Sequence, residues 1–102
     1  MITTDGATWV LRDAAGHPLA CSASVFRSEA EARDAAGSFL VALDAMCFEV
    51  HEEPDGFTWK AFHGGHHLAS AVDIRSDMKS AARAARRARD AALREREMRA
   101  SR

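Results

Sequence analysis

Long apolar runs are missing from this chain. No stretch of about 18 apolar residues occurs, so no membrane-spanning helix is predicted. No basic start followed by an apolar stretch precedes Leu11, so no secretory signal is expected. Cysteine is scarce: two residues, Cys21 and Cys47, exclude a disulfide-stapled scaffold. Neither sits in a recognisable nucleophile signature, and both read as packed, reduced thiols. Ser22 and Ser24 have no triad spacing, and no pair of carboxylates stands out for acid–base work. The expectation is a cytoplasmic, non-enzymatic protein with no cofactor and no membrane contact.

The chain has 102 residues, 47% hydrophobic and 28% charged, which suits one globular domain rather than a disordered segment. A domain of that length buries roughly two-thirds of its unfolded surface, enough for one modest core. The formal net charge of −1 hides an asymmetry. Lys79–Arg102 holds nine bases against three acids, a net of +6. Met1–Met78 holds five bases against twelve acids, a net of −7. An acidic body with a basic end is a cue for interaction, although such runs are most often solvated faces.

The chain also repeats itself. Asp5-Gly6-Ala7-Thr8-Trp9 returns as Asp55-Gly56-Phe57-Thr58-Trp59. Gly16-His17-Pro18-Leu19-Ala20 returns as Gly65-His66-His67-Leu68-Ala69, and Phe26-Arg27-Ser28 as Ile74-Arg75-Ser76. The offset drifts from 50 to 48 residues, which single-residue gaps in loops accommodate. Two units, about 4–47 and 48–93, fill one domain, and a basic helical extension, 94–102, follows.

Each unit reads alike. Asp-Gly marks a turn, and the Thr-Trp run after it alternates as a strand. A glycine-bearing turn leads to a second strand, around Leu19–Ser22 and Leu68–Val72. Trp9, Trp59, Leu19 and Leu68 are the predicted core of the two units. Ser28 and Ser76 stand where helix N-caps belong, and Ser28-Glu29-Ala30-Glu31 has the form of a capping box.

The first helix is predicted from about Glu29 to Leu43, with Ala32, Ala35, Ala36, Phe39, Leu40 and Leu43 as its apolar stripe. Phe48–Glu52 alternates as a strand, and its counterpart before Asp5 is short. The last helix, about Asp77 to Arg99, offers Met78, Ala81, Ala85, Ala88 and Ala92 to a core. Little apolar content follows Leu93, so that end is expected to project or fray. The fold class is α+β: two tandem β-β-(β)-α repeats forming one antiparallel sheet with two helices packed against it.

Trp9, Leu11, Gly16, Leu19, Ala20, Ser22, Phe26 and Ser28, with Trp59, Gly65, Leu68, Ala69, Ile74 and Ser76, form a pattern that resembles the YegP-like family of small bacterial tandem-repeat proteins. The resemblance runs from about Thr4 to Ala91. It implies three strands, a helix and a further strand per unit, a shared antiparallel sheet, and exchange of the last strands. It implies no established activity, catalytic residues or cofactor. The chain departs from the pattern in three places: the first strand is nearly missing, alanines fill Gly-Ile positions of the last helix, and no strand-like stretch follows that helix.

Three readings of function follow. The leading one is a small non-enzymatic interaction module acting through an unknown protein partner or self-association. The second is weak, non-specific nucleic-acid binding through Arg83, Arg86, Arg87 and Arg94, which share one broad helical flank. The bland version of that flank docks on Glu49, Glu52, Glu53 and Asp55, within the chain or in a partner. The third is metal binding at the turn His63-Gly64-Gly65-His66-His67, with His17 and His51 near by. That spacing matches no established zinc pattern, so the expectation is no metal at His63, His66 and His67.

Overall fold

The computed structural model describes residues 1–101; Arg102, the last base of the positive run, lies outside them. The chain runs β1 (Ile2–Asp5), β2 (Thr8–Arg12), β3 (Pro18–Ser22), α1 (Glu29–Val41), a 3-10 turn (Leu43–Ala45), β4 (Cys47–Glu53), β5 (Gly56–His63), β6 (His66–Ala71) and α2 (Met78–Ala100). The six strands form one antiparallel sheet in the order β1-β2-β3-β6-β5-β4. Two three-strand meanders therefore meet at β3 and β6, with Ala20 opposite Ala71 and Ser22 opposite Ala69. Of the exchange of last strands that the resemblance implies, one half is seen. β4, the strand after α1, pairs with β5, whereas no strand among the described residues follows α2. The first strand is short rather than nearly missing: all four residues of β1 pair with β2.

Alternation decides which side of the sheet is covered. Trp9, Leu11, Ala20, Trp59, Ala61 and Ala69 face the helices and are buried. Val10, Cys21, Lys60 and Ser70 alternate with them and none is buried. Leu19 and Leu68 break the rhythm. The register shifts between Leu11 and Arg12 and again between Ala61 and Phe62, which leaves each leucine as the extra residue of a bulge. Each packs half-buried against the edge of the core rather than inside it.

α1 follows the predicted stripe: Ala32, Ala36, Phe39 and Leu40 are buried, and Leu43 joins them from the 3-10 turn. Ser28 caps it, its hydroxyl accepting from the Glu31 amide at 3.2 Å. The box does not close as drawn. Glu31 accepts from the amide of Arg27, not of Ser28, at 3.0 Å. The cap of α2 is Asp77, one residue later than predicted, and its carboxylate accepts from the Ser80 amide at 2.7 Å. A carboxylate accepts from a backbone amide more strongly than a hydroxyl does.

Counted from the two caps, Ala32, Ala36, Phe39 and Leu43 stand where α2 has Ala81, Ala85, Ala88 and Ala92. Trp9 rests on Phe39 at 4.7 Å between ring centroids. Trp59 meets the alanine seam instead, and Phe48 of the neighbouring strand approaches its ring at 5.5 Å. Both indoles are 1% exposed. Met78, predicted to face inward, is 60% exposed.

The last helix neither projects nor frays. It continues to Ala100, and Ala91 and Glu95 join its buried face. Glu95 is 4% exposed and its carboxylate accepts from the Ile2 amide at 3.3 Å and from Arg99 Nε at 3.1 Å. The terminal ammonium of Met1 lies 3.8 Å from the other oxygen. Arg96 clasps Asp44 with two hydrogen bonds of 3.0 and 3.2 Å. Polar contacts hold this end, so apolar content alone misjudged it.

A candidate interaction surface on the second helix

The arginines of α2 divide by use. Arg96 and Arg99 spend their charge inside the fold, on Asp44 and Glu95. Arg83, Arg86, Arg87 and Arg94 are exposed, and none forms an ion pair among the described residues. At roughly 100° per residue these four span a flank about 100° wide. The within-chain docking onto Glu49, Glu52, Glu53 and Asp55 does not form: Glu53 lies 3.6 Å from Lys60, and Glu49 3.3 Å from His51.

One end of the flank is hollowed. Arg75, Ser80, Arg83, Ala84 and Arg87 line a depression of about 220 Å³. Ser80, Arg83, Ala84 and Arg87 follow helical spacing, and Ala84 is the small residue among them. Arg75 comes from the loop before α2. Its backbone is pinned to β5 by two hydrogen bonds, Phe57 N to Arg75 O at 2.8 Å and Arg75 N to Phe57 O at 2.7 Å. Gly56 permits this approach: a Cβ there would lie 2.4 Å from the Arg75 carbonyl oxygen, and φ is +144°. Arg75 Nε is buried and finds no hydrogen-bond partner among the described residues.

Arg75 was not among the residues picked from the sequence. The signal was its place in the block Ile74-Arg75-Ser76, which sets it just ahead of the helix cap. In α1 the positions equivalent to Arg83 and Arg87, counted from the caps, are Asp34 and Ser38. The cluster therefore belongs to the second helix alone. Val72, Ile74 and Met78 are exposed at the same end of the molecule.

The other candidate residues are apart from this surface. His63 and His66 are exposed cross-strand partners at the β5–β6 turn. His67 stacks on Phe62 at 5.1 Å, and its Nε2 lies 2.7 Å from Ser70 Oγ and 3.0 Å from the Ala69 carbonyl. His17 pairs with Asp13 at 3.5 Å. No three His, Cys, Asp or Glu side chains among the described residues are placed to hold a metal ion. Cys47, expected to be packed, is exposed on edge strand β4; Cys21 is half-buried, and burial raises its thiol pKa. The buried Ser22 hydroxyl accepts from the Trp9 amide and donates to the Ser24 carbonyl, a structural role. No described helix is long and apolar enough to cross a membrane.

No family model matches the sequence, and no curated protein matches it. A solved structure does. The solution NMR structure of yegP from E. coli, described as a protein of unknown function, superposes with a TM-score of 0.64. The match covers 84% of this chain and 75% of that one at 14% identity. Six antiparallel strands under two helices, reached through the residues that carried the resemblance, thus give this chain the YegP-like fold.

Proposed function

We propose that the chain is a non-enzymatic interaction module, and that the exposed flank of α2 engages an acidic protein partner. One observation carries this reading: Arg83, Arg86, Arg87 and Arg94 are held on one helix without carboxylate partners among the described residues, while Arg96 and Arg99 on the same helix have them. Unpaired cations on an ordered scaffold are free to meet opposite charge at no cost in breaking internal pairs. A protein partner is favoured over nucleic acid because exposed Val72, Ile74 and Met78 sit at the arginine-rich end. Arginine and methionine beside apolar side chains are the composition of a protein interface. The two free thiols suit a reducing, cytoplasmic setting. We also read the chain as one domain of two repeats, 4–47 and 48–93, a reading supported by the matched burial of Trp9 and Trp59.

The test is a titration of the whole protein with polyglutamate at physiological salt. Saturable binding, lost in the variant carrying Arg83→Gln, Arg86→Gln and Arg87→Gln, supports the reading. Absence of binding overturns it. Tighter binding to a DNA duplex at the same salt, with the steep salt dependence of counterion release, overturns it in favour of nucleic acid.

A further inference from the structure

We propose that Arg75, Arg83 and Arg87, with the Ser80 hydroxyl, form a binding site for a single phosphate group. This deepens the reading above by naming what one end of the cationic flank takes. Three guanidinium groups line one depression, and none has a carboxylate partner among the described residues. Convergent like charges repel, so such an arrangement is relieved by an anion. Two acids stand near them: Asp77 caps α2 through the Ser80 amide and lies 3.4 Å from the Ser80 hydroxyl, and Asp73 borders an adjoining space beside Arg75 and Arg87 without an ion pair among the described residues.

The second observation is independent of charge. Arg75 Nε is buried and has no hydrogen-bond partner among the described residues. A buried donor left unpaired costs the full desolvation of that group, and natural structures rarely leave one without a reason. The same guanidinium group belongs to a residue that lines the depression, so an anion seated there is within reach of it after a small side-chain shift. The adjoining space of about 20 Å³, lined by Trp59, Asp73, Arg75 and Arg87, also borders an unpaired donor, the buried indole N–H of Trp59.

Size and valence choose the ligand. A depression of about 220 Å³ is smaller than the pockets of about 300–1,000 Å³ that hold drug-sized molecules, so it suits one small group. A carboxylate is saturated by one guanidinium fork. A phosphate dianion presents three acceptor oxygens and matches several. The donors are also preorganised. Arg83 and Arg87 are four residues apart on a helix, and the Arg75 backbone is fixed to β5 across Gly56. Little ordering of the protein then opposes binding.

The experiment titrates inorganic phosphate into the full chain at fixed ionic strength, with chloride as the balancing anion, and follows arginine Nε–H and backbone amide NMR signals. The expected result is a saturable shift centred on Arg75 Nε–H and the Ser80 amide. The double variant Arg83→Gln, Arg87→Gln weakens binding about tenfold or more, while Arg86→Gln, which removes equal charge per site outside the depression, changes it by less than about twofold. Arg75→Lys keeps the charge, removes Nε, and weakens binding several-fold. All four positions are outside the core, so these variants fold. Absence of saturation, or an Arg86→Gln loss equal to that of Arg83→Gln alone, overturns the site and leaves only a diffuse charge effect. Phenyl phosphate and a phosphoserine peptide then separate the two sources of the group, a small phosphomonoester or a modified protein. Polyglutamate binding without phosphate binding overturns this inference and spares the reading above; phosphate binding without polyglutamate binding does the reverse.

Discussion

Replacing Glu95 by alanine tests the docking of the C-terminal helix most directly. The carboxylate is 4% exposed and serves three groups: it accepts from the Ile2 amide and Arg99 Nε, and its other oxygen forms an ion pair with the Met1 ammonium at 3.8 Å. Alanine leaves all three without it. A hydrogen bond to a charged group contributes about 1.5–3 kcal/mol, and breaking a fully buried pair costs about 3–5 kcal/mol. The upper range does not apply, because Arg99 is 33% and Met1 62% exposed and water replaces part of what they lose. The expected loss is about 2 kcal/mol. In a urea titration with a slope of about 2 kcal/mol per molar, the midpoint falls by about 1 M.

The charge itself is isolated by Glu95→Gln, which keeps the shape. Burial pushes the Glu95 carboxyl pKa up, but the Ile2 amide, Arg99 and the terminal ammonium together hold it below its ordinary 4.5. A carboxyl depressed in the folded state stabilises fully above that ordinary value, and the contribution is lost as pH falls through the folded value. The gap between parent and Glu95→Gln is therefore full at neutral pH and closes on acidification below 4.5. A urea midpoint for Glu95→Ala unchanged within error, or a gap that widens in acid, would refute the reasoning.

Three further outcomes follow from the packing. Trp9→Ala and Trp59→Ala each cost about 3–5 kcal/mol in chemical denaturation, since both rings are fully buried and leave a cavity. Gly56→Ala costs about 2–3 kcal/mol, because its Cβ meets the Arg75 carbonyl, while Gly64→Ala, with φ +57° and no atom within 4 Å, costs about 1 kcal/mol. Truncation after Leu93 lowers stability by at least about 2 kcal/mol in a thermal melt, because it removes Glu95, Arg96 and Arg99 together.

Periodicity by itself determined the helix over Glu29–Val41, the alternation in β2 and β5, and the burial of Trp9 and Trp59, because apolar spacing is a local property that the backbone reads directly. The matched Asp-Gly and Trp blocks also marked β2 and β5, each carrying one buried tryptophan. Tertiary structure decided the rest. Which hydroxyl or carboxylate caps α2 depended on geometry at a single residue, and Asp77 displaced Ser76. The bulges that turn Leu19 and Leu68 to the edge of the core arise from strand pairing, which no single strand contains. The helix beyond Leu93 is ordered by Glu95 reaching Ile2, 93 residues away, and by Arg96 reaching Asp44, 52 residues away. The arginine cluster shows the same division. Helical spacing put Arg83 and Arg87 on one flank, but only the pairing of Phe57 with Arg75 brought the third guanidinium beside them. Contacts between distant segments leave no mark in local pattern, because they are selected by the closure of the whole sheet and not by the residues on either side.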